Sequence, residues 1–220
     1  MAPMPGGKRP RGPADRRARI VAAVIRRSFD IVASLTALTV LSPLLLAAAI
    51  AIRLESRGPV IYRQWRVGLR GRRFEMLKLR TMVQGAERIG AGLKVNANDA
   101  RITRVGALLR RTSLDELPNL VNVLRGEMAI VGPRPTLQAQ VDTYDAHQRR
   151  RLAVKPGITG WAQVNGRASL PWQERIELDI WYVENRSLAL DAKILWRTVA
   201  VVAGGGGLYK GEHGGWHGEL

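Results

Sequence analysis

Apolar positions along this chain follow three kinds of pattern, and each predicts a different element. An uncharged run covers residues 31–52, 22 positions without a single Asp, Glu, Lys or Arg. As one straight helix it would extend roughly 33 Å, enough to cross a hydrocarbon core of about 30 Å. Period-two alternation marks two short strands at 60–67 and 74–81, joined by Gly-Leu-Arg-Gly-Arg-Arg, which reads as a basic β-hairpin. Helical spacing then returns at 102–111, through Ile102, Val105, Leu108 and Leu109, and at 114–124, through Leu117, Leu120, Val121 and Leu124. Beyond a Gly-Pro-Arg-Pro turn at 132–135, the spacing predicts a polar helix at 138–151, a loop at 155–167, and helices at 172–184 and 188–203. The first of this last pair carries Ile176, Ile180 and Val183 on one stripe. The second is apolar enough for either a core or a membrane surface. Residues 83–100 read as a polar loop or a broken short helix, and no repeat is visible.

These elements predict an α+β fold in four parts. Residues 1–15 form a disordered basic arm and 16–57 a membrane helix. Residues 58–203 form a cytoplasmic domain of helices with a short hairpin, and 204–220 a flexible Gly-rich tail.

Charge changes the picture of the membrane segment. The 220 residues hold 35 Lys+Arg against 18 Asp+Glu, a formal charge of +17. Basic residues stand on both flanks of the apolar run, from Lys8 to Arg27 before it and from Arg53 to Arg80 after it. A spanning helix keeps its cations on one side, so symmetric flanks favour both ends at the anionic cytoplasmic face. Pro43, in mid-run, has no N–H for the carbonyl of Thr39, and the hydroxyls of Ser42 and Thr39 can serve the exposed backbone there. A helix broken at Ser42-Pro43 that enters and leaves by one leaflet fits this pattern; a single-pass helix with a mild kink also fits it.

Composition removes several chemistries. Without cysteine there is no disulfide, thiolate metal site or cysteine nucleophile. Three histidines, His147, His213 and His217, leave little for a histidine metal cage or a Ser-His-Asp triad. The excess of cations asks for an anionic partner: nucleic acid, phospholipid or a phosphorylated substrate.

Ser113-Leu-Asp-Glu-Leu-Pro118 is the strongest chemical candidate. As structure, Ser113 and Glu116 read as a capping box opening the next helix. As chemistry, Asp115 and Glu116 offer an ionised pair that can ligate Mg2+, with Arg110 and Arg111 one turn away for phosphate oxygens. Arg134, between two prolines, has a restricted backbone aimed at phosphate recognition or simply at a surface turn. Lys155, Trp161, Gln163 and Arg167 lie in a glycine-punctuated segment suited to a nucleotide or sugar pocket. Lys78 sits in the hairpin, where a solvated face is the default. Asp179 falls on an apolar helix, where a carboxylate is either paired or functional.

The ordered set Lys78-Leu-Arg-Thr-Met82, Ser113-Leu-Asp-Glu-Leu-Pro-Asn119, Val131-Gly-Pro-Arg-Pro135, Lys155-Pro-Gly-Ile-Thr-Gly-Trp-Ala-Gln-Val-Asn-Gly-Arg167 and Glu177-Leu-Asp179 resembles the bacterial sugar transferases. These are monotopic polyprenyl-phosphate phosphoglycosyl transferases, and the likeness covers roughly residues 25–203. Larger relatives add an N-terminal bundle of membrane helices, so the chain is expected to be the minimal catalytic form.

The resemblance implies a re-entrant helix broken at Ser42-Pro43 and a catalytic dyad at Asp115-Glu116 holding Mg2+. It implies a UDP-sugar donor, a polyprenyl phosphate acceptor, UMP release and a phosphosugar–aspartyl intermediate on Asp115. It places Lys78, Arg110, Arg134 and Asp179 around the site, with Lys155 standing where relatives often carry Arg. The expected location is the bacterial inner membrane, with the active site on its cytoplasmic face against an anionic bilayer. No nucleic acid is expected; a homodimer is compatible with the sequence and not required by it. The competing reading is a non-enzymatic basic tethered protein, an assembly scaffold or one stacking nucleic-acid bases on Tyr62, Trp65 and Phe74. It leaves the carboxylate and Trp-Ala-Gln motifs unexplained.

Overall fold

The computed structural model describes residues 13–89, 99–166 and 169–204. The arm up to residue 12, the tail beyond 204, part of the polar 83–100 segment and Arg167 lie outside the described residues.

The membrane segment is two helices, α1 (Pro13–Val40) and α2 (Ser42–Glu55), bent by 60° at the break. Helix α1 starts three residues ahead of the boundary read from sequence. The bend has the expected cause. Pro43 cannot serve the carbonyl of Thr39, and the Ser42 hydroxyl donates to it instead at 2.8 Å. No single helix among the described residues is long and apolar enough to cross a membrane, but this bent pair has the length and composition together. One side of the pair shows Phe29, Val32, Leu35, Leu46, Ile50 and Leu54 to the outside.

The other side of α1 is fastened to the domain by polar contacts. Arg26 pairs with Asp191 at 2.5 Å. Arg27 donates to the carbonyls of Val123 and Leu124 at 2.6 and 2.8 Å, and Asp30 accepts from the Ile130 N–H at 3.0 Å. Two cations read from sequence as lipid-facing thus serve the protein itself.

Strands β1 (Ile61–Val67) and β2 (Arg73–Leu79) pair antiparallel with Tyr62 opposite Lys78 and Arg66 opposite Phe74, close to the hairpin expected. The free edge of β2 is closed by the buried Asn122, which accepts from Leu77 N–H and donates to Glu75 C=O. Helix α3 (Arg104–Arg111) follows, its first turn capped by Thr103 onto Gly106 N–H and by the Glu55 carboxylate onto Arg104 and Val105 N–H. Ile52, Leu79 and Leu109 pack together and tie α2, the hairpin and α3 into one core.

Three expectations need correction. Residues 114–124 are not one helix: a 3-10 turn at Leu114–Glu116 precedes α4 (Asn119–Leu124). Pro118 has no N–H for the Leu114 carbonyl, and the turn closes with i to i+3 bonds instead. The stretch 138–151 is likewise divided, into α5 (Gln138–Asp142) and a 3-10 turn at Gln148–Ala153. Asp145 breaks it by accepting from Gln148 N–H while the Gln148 side chain accepts from Asp145 N–H.

The third correction is a second sheet. Strands β3 (Ala129–Val131) and β4 (Gly157–Thr159) pair in parallel, and α6 (Trp161–Val164) follows where a loop was expected. At three residues each these strands show no periodicity. Their backbones approach so closely that a Cβ at Gly157 would lie 2.1 Å from Gly132 N. Helices α7 (Trp172–Asn185) and α8 (Leu188–Gly204) agree with the sequence. Ile194 of α8 is fully buried while Trp196 is 80% exposed, so this helix serves the core and leaves an apolar face outside.

Candidate active site

The Asp115-Glu116 pair sits in the 3-10 turn between α3 and α4, and its local geometry is not a cap. Ser113 takes up a left-handed conformation (φ 57°) and its side chain caps nothing. The capping box is therefore absent, and both carboxylates are left for tertiary contacts.

Glu116 is pinned between two cations. Its Oε1 accepts from Lys78 Nζ and from Arg134 Nη2, each at 2.7 Å, and its Oε2 lies 3.4 Å from Arg134 Nη1. Burial alone would raise its pKa. Arg134 and Lys78 outweigh that and hold it well below the ordinary carboxylate range. Lys78 is shifted down by burial against the pull of Glu116, whereas Arg134 is raised, mainly by Glu116. Lys78 therefore faces a partner, not solvent: its side chain is largely buried against Glu116.

Asp115 is buried too, yet its carboxylate forms no hydrogen bond or ion pair among the described residues. Burial raises its pKa, Lys78 lowers it, and the neighbouring Glu116 charge raises it again. Arg110, on the last turn of α3, is near enough for its charge to act on Asp115, and its Nε donates to Thr81 Oγ1 at 2.8 Å.

Asp179 is one layer further away. It forms a buried ion pair with Arg151, and Arg151 donates to the backbone carbonyl of Arg134 at 3.2 Å. Asp179 thus positions the Arg134 loop through Arg151. Lys155 is not brought to the acidic pair. Its Nζ lies by Gly126 and the Arg27 guanidinium, with Asp30 and Arg186 close by. Trp161 stacks on Trp181 at 5.1 Å, with Lys193 and Arg197 over its ring at 5.7 and 5.3 Å. Those contacts occupy a ring that sequence reading offered to a substrate. Both amide atoms of Gln163 are buried without a hydrogen-bond partner.

Sequence reasoning missed Arg151, which holds the Arg134 loop, and also Arg66 and Arg175, on which the Arg134 charge acts. Only Arg66 left a readable signal: Tyr62, Gln64 and Arg66 share one hairpin face with Lys78.

No group of three or more acidic or histidine side chains converges among the described residues. Glu116 has both oxygens engaged, while Asp115 is uncommitted. This donor set suits Mg2+, which binds through one or two carboxylates together with substrate phosphates.

A family model described as bacterial sugar transferase matches residues 21–205. This chain belongs to that family. The sugar transferase is 42% identical over 190 residues to an "Uncharacterized sugar transferase EpsL" of Bacillus subtilis, covering 86% of this chain and 93% of that relative. It is 44% identical over 203 residues to a Caulobacter vibrioides protein named UDP-glucose:undecaprenyl-phosphate glucose-1-phosphate transferase, covering 89% of this chain and 73% of the relative. An Aeromonas hydrophila protein, UDP-N-acetylgalactosamine-undecaprenyl-phosphate N-acetylgalactosaminephosphotransferase, is 42% identical over 191 residues. The match covers 84% of this chain but only 45% of that longer relative.

Proposed function

We propose that this sugar transferase moves a sugar 1-phosphate from a UDP-sugar to polyprenyl (undecaprenyl) phosphate, releasing UMP, as the first step of bacterial polysaccharide or glycoconjugate assembly. The observation that carries the reading is a buried, unpaired Asp115 beside a Glu116 locked between Lys78 and Arg134. The first carboxylate is free to react, and the second orients the cations that receive phosphate charge. The names of the Caulobacter and Aeromonas relatives support the same substrate pair.

The Asp115 carboxylate attacks the sugar-bearing phosphorus. The bond from that phosphorus to the bridging oxygen breaks, and UMP leaves with the electron pair. The resulting phosphosugar–aspartyl mixed anhydride is then attacked at phosphorus by an oxygen of polyprenyl phosphate; the bond from phosphorus to the Asp115 oxygen breaks, which restores the carboxylate and gives a polyprenyl-diphosphate-sugar. Two displacements let one carboxylate handle two anionic substrates in turn. Lys78, Arg110 and Arg134 supply fixed positive charge to the phosphoryl oxygens in both steps. Mg2+, held by Asp115 and the diphosphate, would offset the remaining anionic repulsion.

The acceptor cannot leave the bilayer, so the site must stand at the interface. The 60° bend at Ser42, the apolar outer side of the helix pair and basic residues on both flanks support a re-entrant anchor on the cytoplasmic face of the inner membrane.

The test is UMP release by purified protein with Mg2+, undecaprenyl phosphate and a panel of UDP-sugars, with Asp115→Asn as control. Release with one or two donors, lost in the variant, supports both reaction and nucleophile. Release unchanged in Asp115→Asn would overturn the aspartyl intermediate.

A further inference from the structure

Beyond the acidic pair, the hairpin and the Arg134 loop meet in a second cationic cluster. A bridge from Val67 N–H to Thr136 C=O, 2.9 Å, fixes the end of β1 against the segment carrying Arg134. Arg66, next to Val67, shares its hairpin face with Lys78 through Tyr62 and Gln64. Its one side-chain hydrogen bond among the described residues goes to Gln64, and its Nε is buried without a partner. From α7, Arg175 carries a second buried, unpartnered Nε, its guanidinium 5.3 Å from the Trp172 ring and, like that of Arg66, within reach of the Arg134 charge.

The charges do not balance. Glu116 is the one carboxylate serving Lys78 and Arg134, and Asp179 is taken by Arg151. Among the described residues Arg66 and Arg175 form no salt bridge; Glu116 and Glu87 act on Arg66, and Asp179 on Arg175, only at longer range. Repeated like charge with buried, unused N–H donors is costly unless an anion completes it. Arg66 responds as expected: burial, then Arg134, brings it down to about 10, still protonated at neutral pH.

The cluster also has a definite side. Arg110 acts on Asp115 from α3, which packs against α2 of the anchor through Leu109 and Ile52. Arg66 and Arg175 instead each adjoin a member of the Val67–Ile176 core cluster, to which the Val67–Thr136 bridge also ties the Arg134 loop.

We propose that Arg66 and Arg175, with Arg134, form the subsite for the phosphate that leaves, the one joined to the nucleoside. This rests on the transferase reading above and adds the donor's placement. Fork-shaped guanidiniums on that phosphate receive charge as the bridging bond breaks, and leave the membrane side of Asp115 clear for the lipid phosphate.

Binding of UMP and of uridine to the full chain in lipid nanodiscs tests the assignment without turnover. Wild type is expected to prefer UMP clearly over uridine. Arg66→Gln should lower UMP affinity by about 10- to 100-fold, the scale of a lost charge-assisted hydrogen bond, and leave uridine affinity unchanged. Arg66→Lys should restore part of the loss, and the KM for polyprenyl phosphate should not move in either variant. A folded Arg66→Gln protein that binds UMP as wild type does would overturn the subsite, while UMP release by wild type would keep the transferase reading. If Arg66→Gln does not fold, Arg175→Gln decides: a reduced preference for UMP over uridine supports the subsite, and an unchanged one overturns it. Wild type that neither binds nor releases UMP would overturn both.

Discussion

Lys78 and Glu116, 38 residues apart in the chain, meet at 2.7 Å with about four-fifths of each side chain buried. The contact joins the second hairpin strand to the turn that carries Asp115, so the pair sets both the charge around Asp115 and its place, the carboxylate proposed above as nucleophile. Removing one partner leaves the other charge buried and uncompensated. Glu116→Gln and Lys78→Met are each expected to lower UMP release by about 10²–10³-fold, the scale for loss of one preorganised electrostatic group. Thermal unfolding of both single variants and the double variant should give a coupling energy between about 0.5 and 3 kcal/mol. Additive effects would mean that the ion pair does not organise the site.

Asp115 is expected to show a conflict between function and stability. Burial raises its pKa, so the folded state favours the protonated form more than the unfolded chain does. Its favourable contribution is present at low pH and is lost as pH rises through the folded-state value. At neutral pH the ionised group therefore destabilises the fold. Asp115→Asn should abolish UMP release, with a loss of at least about 10³-fold, and raise the unfolding temperature in chelator-treated protein at pH 7. The stability difference should shrink as pH falls. A variant that is less stable at pH 7 would contradict the burial argument.

What could be read in the sequence depended on how far each signal reached along the chain. The break at Ser42-Pro43 is local chemistry, and the hairpin and helices α7 and α8 are long enough to show their periods. Strands β3 and β4 are too short for that, and their pairing depends on the Gly132–Gly157 approach, which no local window contains. The Ser113-x-x-Glu116 spacing was misleading because a capping box and an uncapped 3-10 turn that presents two carboxylates use the same residue types. Contacts outside the helix decided between them: Lys78 and Arg134 take the Glu116 oxygens. Arg151 and Arg175 carried no signal, since one basic residue among 35 stands out only once its neighbours in space are known.

Helix α1 should move with the domain as one body. Asp30 accepts the Ile130 N–H at 3.0 Å, bringing the helix onto β3. Asp30→Ala orphans that donor, at a cost of about 1–3 kcal/mol. Amide exchange at Ile130 should then quicken, while Ala129, whose N–H goes to Pro156 C=O, serves as the internal control. Asp30→Asn keeps an acceptor oxygen and should exchange much as wild type does. Equal protection in Asp30→Ala and wild type would show that apolar packing alone holds the helix.

The bend between α1 and α2 depends on one missing donor and one replacement. In Pro43→Ala the N–H of residue 43 returns to the Thr39 carbonyl, and Ser42→Ala removes the hydroxyl that now serves it. The double variant gives residues 31–52 an unbroken backbone ladder, with the length to cross the bilayer. The absence of cysteine makes the topology simple to read, because Arg17→Cys and Arg57→Cys become the only thiols in the chain. With the native Ser-Pro pair, both should react with an impermeant maleimide from the cytoplasmic side only. In the Ser42→Ala/Pro43→Ala background a fraction of chains should carry the two thiols on opposite sides, limited by basic residues that disfavour moving either flank across. Opposite-side labelling with the native pair would overturn the re-entrant anchor. Same-side labelling in both backgrounds would mean that the flanking charge, and not the break, holds both ends at one face.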